Sequence, residues 1–271
     1  MFNNAKNKEI KIDDTSVYYV TFGKGKKNLI IIPGGGDGFK LVKGLAIPFS
    51  IMYKIFAKEY KVYIFSRRNK LNEGFSTEDM ANDIIKHMED LNIDKADIVG
   101  VSQGGMIAQY VAINAKDKVN KLVLAVTYAK PNETIVDTAN NWIEMAKNKD
   151  YKTLMIDTAE KSYTGNYLNK NRKMYKFLGL FGKNATYQRF IYEIESCLKH
   201  NSYDKLNKIK AKTLIIGAKQ DKVLGIIGSE EMAKKIPNNE LYIYEEYSHG
   251  VYEQAKDFNQ RILNFLNEKD K

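Results

Sequence analysis

The most informative part of the sequence is ADIVGVSQGGMIAQY, residues 96–110. An apolar run of strand length ends in glycines placed around a single serine, Ser102, and a helical pattern begins directly afterwards. Short apolar runs bounded by glycine are typical of buried strands. The stretch therefore predicts a buried strand, a very tight turn and a helix, with one polar residue placed at the turn.

The turn at Ser102 has the residues that an activated serine needs. A serine hydroxyl is a weak nucleophile until a base removes its proton, so it must stand clear of its own backbone within reach of a histidine. A sharp strand-to-helix turn provides this and crowds the positions two residues away, where Gly100 and Gly104 leave room. The following helix directs N–H groups and the positive end of its dipole towards the serine. An ordinary glycine-rich turn, in which Ser102 only caps the helix, is the alternative.

A second glycine cluster follows another predicted strand, in NLIIIPGGGDG, residues 28–38. Here a backbone amide of the cluster Gly34–Gly36 can approach a substrate oxygen because no side chain stands in the way. A plain flexible turn is the alternative for this cluster.

An acid and a base follow two later strands. In TLIIGAKQDKVLG, residues 213–225, Asp221 comes shortly after the strand, and in LYIYEEYSHG, residues 241–250, His249 comes just after the last strand. Open α/β sheets carry their sites at the carboxyl ends of strands. We therefore expect Asp221 and His249 to meet the serine there. Glu246, with Glu245 beside it, is an acidic competitor for the bond to the histidine.

Strand-length apolar runs alternate with amphipathic segments along most of the chain. This alternation predicts a mostly parallel sheet with helices on both faces. Residues 129–207 break the rhythm and predict a helical insertion, so that residues 1–128 and 208–271 form the two parts of one core. The predicted strands are Val17 to Phe22, Asn28 to Ile32, Val62 to Phe65, Ala96 to Val101, Lys121 to Thr127, Thr213 to Gly217 and Leu241 to Tyr244.

Composition and charge limit the kinds of partner that the protein is expected to bind. The net charge is +10, but the lysines are scattered among acidic residues and arginine is sparse, so we expect no nucleic-acid partner. No apolar run approaches the roughly 20 residues of a membrane-spanning helix, and no export signal precedes the first strand, so we expect no membrane partner and a cytoplasmic location. Cys197 is the single cysteine, which excludes an internal disulfide, and no histidines cluster with it to form a zinc site. A metal site made of carboxylates alone remains an alternative.

Taken together, these motifs resemble the α/β-hydrolase fold family. The likeness rests on GVSQGGMIAQY, PGGGDG, GAKQDKV and the late SHG, which occur in the family's order of serine, aspartate and histidine. It spans essentially the whole chain, and the insertion corresponds to the family's variable helical cap. The chain departs from many relatives at Pro33, where they carry a histidine, so any hydrogen bonds of that histidine must be absent or replaced.

The resemblance implies a serine hydrolase that cleaves a small, mainly apolar ester-like molecule without a metal or an organic cofactor. Ser102, Asp221 and His249 are then the catalytic residues, and Gln103 and Gly35 form the oxyanion hole. Aromatic residues of the insertion are expected to line the substrate site: Trp142, Tyr163, Tyr167 and Phe181. A lactonase or thioesterase, a cofactor-free lyase or oxygenase, and a non-catalytic ligand-binding protein remain alternatives on the same fold.

Overall fold

The computed structural model describes residues 4–178 and 187–269, which contain an eight-stranded sheet. The strands are β1 (Lys6–Ile12), β2 (Thr15–Phe22), β3 (Lys27–Ile32), β4 (Tyr60–Arg68), β5 (Ala96–Val101), β6 (Val119–Ala125), β7 (Lys212–Ala218) and β8 (Asn239–Tyr244). Their spatial order is β1-β2-β4-β3-β5-β6-β7-β8. Every neighbouring pair from β4 to β8 is parallel, whereas β2 is antiparallel to both β1 and β4. The predicted α/β fold class is therefore confirmed.

All seven predicted strands are present, and their bounds differ from the predicted ones by one to three residues at one or both ends, except at β5, where they agree. The sequence did not predict β1, because its residues KNKEIKI are mostly exposed and show little apolar alternation. The strand predicted to reach Thr127 ends at Ala125, since Val126 has a φ of 41° and leaves the extended conformation. The N–H of Val126 still donates to the carbonyl of Ile216, at 2.8 Å.

The described ranges contain ten α-helices. They are α1 (Ala46–Met52), α2 (Thr77–Asp90), α3 (Gln103–Asn114), α4 (Glu133–Lys147), α5 (Tyr151–Ser162), α6 (Gly165–Leu178), α7 (Tyr187–Leu198), α8 (Ile227–Lys235), α9 (Val251–Gln254) and α10 (Phe258–Asn267). At the start of α2, Ser76 and Asp79 bond reciprocally in a capping box. Helix α3 begins directly after β5, as the stretch around Ser102 predicts.

Both faces of the sheet are buried. Along β3, Ile30 and Ile32 belong to one apolar cluster, and Leu29 and Ile31 belong to another. Residues of α2, α3 and α8 complete the first cluster, and residues of α1 and α10 complete the second. Because neighbouring strand side chains point to opposite faces, a strand covered on both sides is a continuous apolar run. Within the described ranges, none of the helices has the length and apolarity that crossing a membrane requires.

The segment between β6 and β7, here called the helical insertion (residues 126–211), contains α4 to α7. It has its own apolar cluster, which includes Trp142 and Phe190. Met106 of α3 and Val223, which follows Asp221, belong to the same cluster, so the insertion packs against the carboxyl edge of the sheet. The division of the chain at residues 129 and 207 stays a prediction, and α4 to α7 lie within those limits.

Candidate active site

Ser102 occupies the tight turn between β5 and α3. Its backbone angles are φ 54° and ψ −122°, a conformation that residues other than glycine rarely adopt. The N–H of Ser102 donates to the carbonyl of Ala125 at 2.9 Å, and its own carbonyl accepts from the N–H of Gly105 at 2.8 Å. Bonds on both sides therefore hold the strained turn, with the serine at the carboxyl end of β5.

Two glycines make this turn possible through close approach of the backbone. A β-carbon on Gly100 would lie 2.4 Å from the carbonyl oxygen of Gly104. A β-carbon on Gly104 would lie 2.0 Å from the carbonyl oxygen of Ile32, at the end of β3. Neither position has space for any side chain, as expected for the residues that flank Ser102 at two positions' distance.

The structure brings Ser102, His249 and Asp221 together in one hydrogen-bonded chain. The Nε2 atom of His249 lies 3.0 Å from the Oγ of Ser102, and its Nδ1 lies 2.9 Å from the Oδ2 of Asp221. A carboxylate only accepts hydrogen bonds, so Nδ1 carries the hydrogen and Nε2 is left to accept the serine O–H. This is the arrangement in which an imidazole can remove the serine proton.

Asp221 is held independently of the histidine. Its Oδ1 accepts the N–H groups of Val223 at 2.8 Å and Leu224 at 2.9 Å, which leaves Oδ2 for His249. The residue is 8% exposed. Of the competing Glu246, the main-chain carbonyl accepts from the hydroxyl of Thr164 at 3.0 Å.

The loop after β3, here called the glycine loop (Pro33 to Gly38), lies against Ser102. A β-carbon on Gly34 would lie 3.2 Å from the β-carbon of Ser102 and 3.7 Å from its Oγ. Gly35 follows and begins a short 3₁₀ turn, Gly35–Gly38, with the side chain of Ile194 on α7 nearby. Gln103 is the first residue of α3 on the other side of the serine. Their roles as oxyanion donors stay predictions.

The aromatic residues predicted to line the site lie in different places. Trp142 is only 7% exposed and its Nε1 donates to the Oδ2 of Asp157 at 2.7 Å, so the ring packs inside the insertion. Tyr163 packs against Gly250, where an added β-carbon would lie 2.5 Å from the ring, and its ring lies 4.9 Å from that of Tyr167. Phe181 lies outside the described residues.

Tyr163 therefore lies beside the loop that carries His249, here called the histidine loop (Ser248 to Gly250). Its hydroxyl donates to the Oε2 of Glu253 at 2.7 Å. Burial, together with the nearby carboxylate of Glu253, raises the pKa of Tyr163 well above its usual range, so the hydroxyl remains a donor. Tyr163 can thus contribute an aromatic surface near the site without changing its charge. Its contact with a substrate stays a prediction.

Two connections between the insertion and the histidine loop were not foreseen from the sequence. The Oγ of Ser248 donates to the carbonyl of Lys161 at 2.6 Å, and the N–H of Gly250 donates to the carbonyl of Ser162 at 2.7 Å. Both carbonyls belong to the last turn of α5, so His249 lies between two residues that the insertion holds. The sequence offered only the small residues flanking the histidine as a signal.

Two other kinds of reactive group could act within the described residues: the thiol of Cys197 and a metal site. Burial raises the pKa of Cys197 to about 12, so its thiol stays protonated and is a poor nucleophile. Within residues 4–178 and 187–269, no three side chains of His, Cys, Asp or Glu come together as a possible metal site. The case for Ser102 as a candidate nucleophile rests on its bond to His249.

Comparisons with known proteins agree with this architecture. The model of the alpha/beta hydrolase fold family matches residues 27–256. The chain is similar to the 2-hydroxy-6-oxononadienedioate/2-hydroxy-6-oxononatrienedioate hydrolase 1 of Pseudomonas putida, with 22% identity over 93% of this chain and 92% of that protein. It is also similar to the 3-oxoadipate enol-lactonase 2 of Acinetobacter baylyi, with 20% identity over 92% of each chain.

Among solved structures, the alpha/beta hydrolase MGS-M2 from a deep-sea metagenome library of the Medee basin superposes with a TM-score of 0.85. That superposition covers 97% of this chain and 98% of the other, at 21% identity. An esterase from Exiguobacterium antarcticum superposes with a TM-score of 0.77 over 94% of this chain and 96% of that one, at 19% identity. The chain belongs to the α/β-hydrolase fold family, and its homologues are hydrolases.

Proposed function

We propose that the protein is a serine hydrolase that cleaves small, mainly apolar carboxylic esters through a covalent acyl-enzyme. The observation that carries the proposal is the hydrogen-bonded chain from Ser102 through His249 to Asp221. A serine that only capped a helix would not require a histidine at its hydroxyl. A serine in a strained turn, bonded to an imidazole that a buried carboxylate orients, has the groups needed for nucleophilic attack.

In the first half of the reaction, Nε2 of His249 takes the proton of Ser102 as Oγ attacks the ester carbonyl. The tetrahedral intermediate places a negative charge on the former carbonyl oxygen, which the backbone N–H groups of Gln103 and Gly35 stabilise. Asp221 keeps the imidazole in the required tautomer and stabilises its charged form. His249 then gives the proton to the leaving alcohol, and the acyl group remains on the serine.

In the second half, water replaces the alcohol. His249 removes a proton from the water, whose oxygen attacks the acyl-enzyme carbonyl, and the same N–H groups stabilise the second tetrahedral intermediate. As that intermediate collapses, the proton returns to Oγ of Ser102 and the carboxylic acid leaves. The cycle consumes one ester and one water and requires no further reactant.

The chemistry of the surroundings supports a compact apolar substrate. The rings of Tyr163 and Tyr167 lie by the histidine loop, and Ile194 lies by the glycine loop. One relative is named as an enol-lactonase, so a lactone is a second substrate class open to the same steps. A thioester would follow the same route, and a substrate panel separates the three classes.

The decisive experiment combines a covalent probe with the substitution Ser102→Ala. Wild-type protein treated with a fluorophosphonate should gain the mass of one probe, mapped to Ser102, and Ser102→Ala should gain none. Turnover of p-nitrophenyl acetate, butyrate and octanoate should fall by about three or more orders of magnitude in the variant. Matched lactones and thioesters, assayed beside them, identify the preferred class.

Ser50→Ala is the matched control, because Ser50 is also buried but its hydroxyl donates to the carbonyl of Ile47 in α1. It should be labelled and should turn over substrate like wild type. A folded Ser102→Ala protein with wild-type turnover would exclude the serine mechanism. A wild-type protein that is neither labelled nor active on any of the three classes would favour the non-catalytic alternative or a lyase.

A further inference from the structure

The two predicted oxyanion donors lie on separate segments of chain. Gly35 belongs to the loop after β3, and Gln103 begins α3 after the serine. Donors of this kind act only when both lie at hydrogen-bond distance from the same developing charge. The position of the glycine loop relative to α3 must therefore be fixed by some contact between them.

Arg67 makes that contact from the end of β4. Its side chain is buried, with 4% of the residue exposed. One nitrogen, Nη2, donates both to the main-chain carbonyl of Pro33 at 2.6 Å and to the Oε1 of Gln103 at 2.8 Å. A single guanidinium nitrogen thus joins the first residue of the glycine loop to the side chain of the first residue of α3.

The bond to Pro33 is important because a proline has few groups that can form hydrogen bonds. Proline has no N–H and no polar side-chain atom, so its carbonyl is its one hydrogen-bonding group. Gly34, which follows, is the residue in contact with Ser102. Arg67 therefore holds the loop directly before the point where it meets the serine.

Gln103 extends the connection to the insertion. Its Nε2 donates to the carbonyl of Glu193 at 2.9 Å and to the Oγ of Ser196 at 3.1 Å, both in α7. Because a guanidinium only donates, Oε1 must face Arg67 and the NH₂ group must face α7. Gln103 is 1% exposed and Glu193 is fully buried, so water does not compete readily for these bonds.

We propose that Arg67 is a positioning residue that, through Pro33 and Gln103, sets the distance between the two oxyanion donors. The inference rests on the proposed function. Arg67 has no direct contact with the substrate in this role. The two bonds of Nη2 need hydrogens held in fixed, divergent directions. The planar guanidinium of arginine provides them, whereas the ammonium of lysine is a point charge on a flexible chain.

The test compares four variants by steady-state kinetics. Arg67→Met should lower kcat by about 10²-fold, the effect of a misplacement of about 1 Å, with KM within about threefold of wild type. Gln103→Met keeps the backbone amide but loses the bond to Arg67, and it should give a similar loss. The double variant should be no worse than the more severe single one, because both remove the same connection. Arg67→Lys should recover only part of the activity.

Arg68→Met is the matched control. Arg68 is the neighbouring arginine, and its guanidinium pairs with Asp83 and Asp13. This variant should lose stability while kcat stays within about threefold of wild type. If Arg67→Met and Arg68→Met lower kcat equally, or if the double variant shows the product of the single losses, the positioning role is wrong.

Amide hydrogen exchange separates this proposal from the catalytic one. The N–H groups of Phe39 and Lys40 both donate to the carbonyl of Gly36 and so report the order of the glycine loop. They should exchange faster in Arg67→Met and in Gln103→Met, and at the wild-type rate in Arg68→Met. Unchanged exchange in both loop variants overturns the proposal even in an active enzyme. If both loop variants exchange faster than wild type but the wild-type protein itself shows no hydrolase activity, the positioning role is supported and the proposed function is refuted. Should Arg67→Met fail to fold, Gln103→Met decides the matter alone.

Discussion

The two oxygens of Asp221 have different partners, which makes Asp221→Asn an informative substitution. Oδ1 accepts the N–H groups of Val223 and Leu224, and Oδ2 lies 2.9 Å from Nδ1 of His249. In asparagine the oxygen must stay with the two N–H donors, because turning the NH₂ group towards them would set donor against donor. The NH₂ group must therefore face His249.

This change reverses the hydrogen bonds of the imidazole. With a donor at Nδ1, a neutral His249 accepts there and carries its hydrogen on Nε2. Nε2 then donates to the Oγ of Ser102 and cannot remove its proton. We expect a loss of about four orders of magnitude in kcat, or about 5 kcal/mol of transition-state stabilisation, by analogy with the same substitution in a serine protease triad.

Stability should change little in Asp221→Asn, which makes the kinetic loss specific. The amide oxygen retains both main-chain donors, so the unfolding free energy should stay close to that of wild type. Asp221→Ala leaves the N–H groups of Val223 and Leu224 without their acceptor and should cost about 1–3 kcal/mol for each group that stays unsatisfied. The two variants together separate the tautomer effect from the loss of loop structure.

The assay is turnover of p-nitrophenyl butyrate across the pH range, with urea unfolding of each variant and fluorophosphonate labelling as a check on the serine. The control is Glu246→Gln, since Glu246 is the acidic competitor near His249 in sequence. It should leave kcat within about threefold of wild type. If Asp221→Asn retains more than about a tenth of the activity while Glu246→Gln loses most of it, the carboxylate has been assigned wrongly.

Two further predictions concern stability. Gly104→Ala should cost about 3 kcal/mol in urea unfolding, because its β-carbon would lie 2.0 Å from the carbonyl oxygen of Ile32. At Gly36 an added β-carbon would meet no atom of the described residues within 4 Å beyond its two chain neighbours, so Gly36→Ala should stay within about 0.5 kcal/mol of wild type; equal costs would contradict the steric argument. Burial lowers the pKa of His87 to about 4, so the unfolded chain binds the extra proton first and wild type loses stability as the pH falls from about 6.5 to about 4. His87→Leu should remove about 3 kcal/mol of that loss; parallel curves of unfolding free energy against pH would refute this.

The fold could be predicted where burial leaves a pattern along the chain. Strand β5 is buried along its whole length and is predicted with its observed bounds, Ala96–Val101. Strand β1 was not predicted because, among the strands of the described ranges, it lies at the edge of the sheet beside β2, and most of its side chains are exposed. An edge strand needs no apolar alternation, so the sequence KNKEIKI carries little signal.

The proximity of Ser102, Asp221 and His249 could be predicted because the topology sets it. Each follows a parallel strand, and the carboxyl ends of parallel strands meet at one edge of the sheet. The contacts of Arg67 with Gln103 and of Ser248 with Lys161 could not, since they join residues 36 and 87 positions apart with no local pattern. Such bonds depend on the packing of the insertion, which a single sequence does not disclose.

Trp142 shows the limit of reasoning from aromatic content. A large ring in a helical insertion can line a substrate site or fill the insertion's own interior, and both uses give the same sequence pattern. The bond from its Nε1 to Asp157 and its low exposure identify the second use. Tyr163 is also an aromatic residue of the insertion and gives the same kind of sequence signal as Trp142, yet it lies against Gly250 beside His249.

The insertion contacts the site from two sides, and this bears on how substrate choice and turnover are related. The end of α5 holds the residues on either side of His249 through Ser248 and Gly250, while α7 holds the side chain of Gln103. If a helix only covered the substrate, substitutions in it would change KM for different esters and leave kcat unchanged. These helices also bond to the segments that carry the proposed base, His249, and a proposed oxyanion donor, Gln103, so a shift in their packing is expected to move both of these groups. Acyl-chain preference in this protein is therefore expected to appear in kcat as well as in KM.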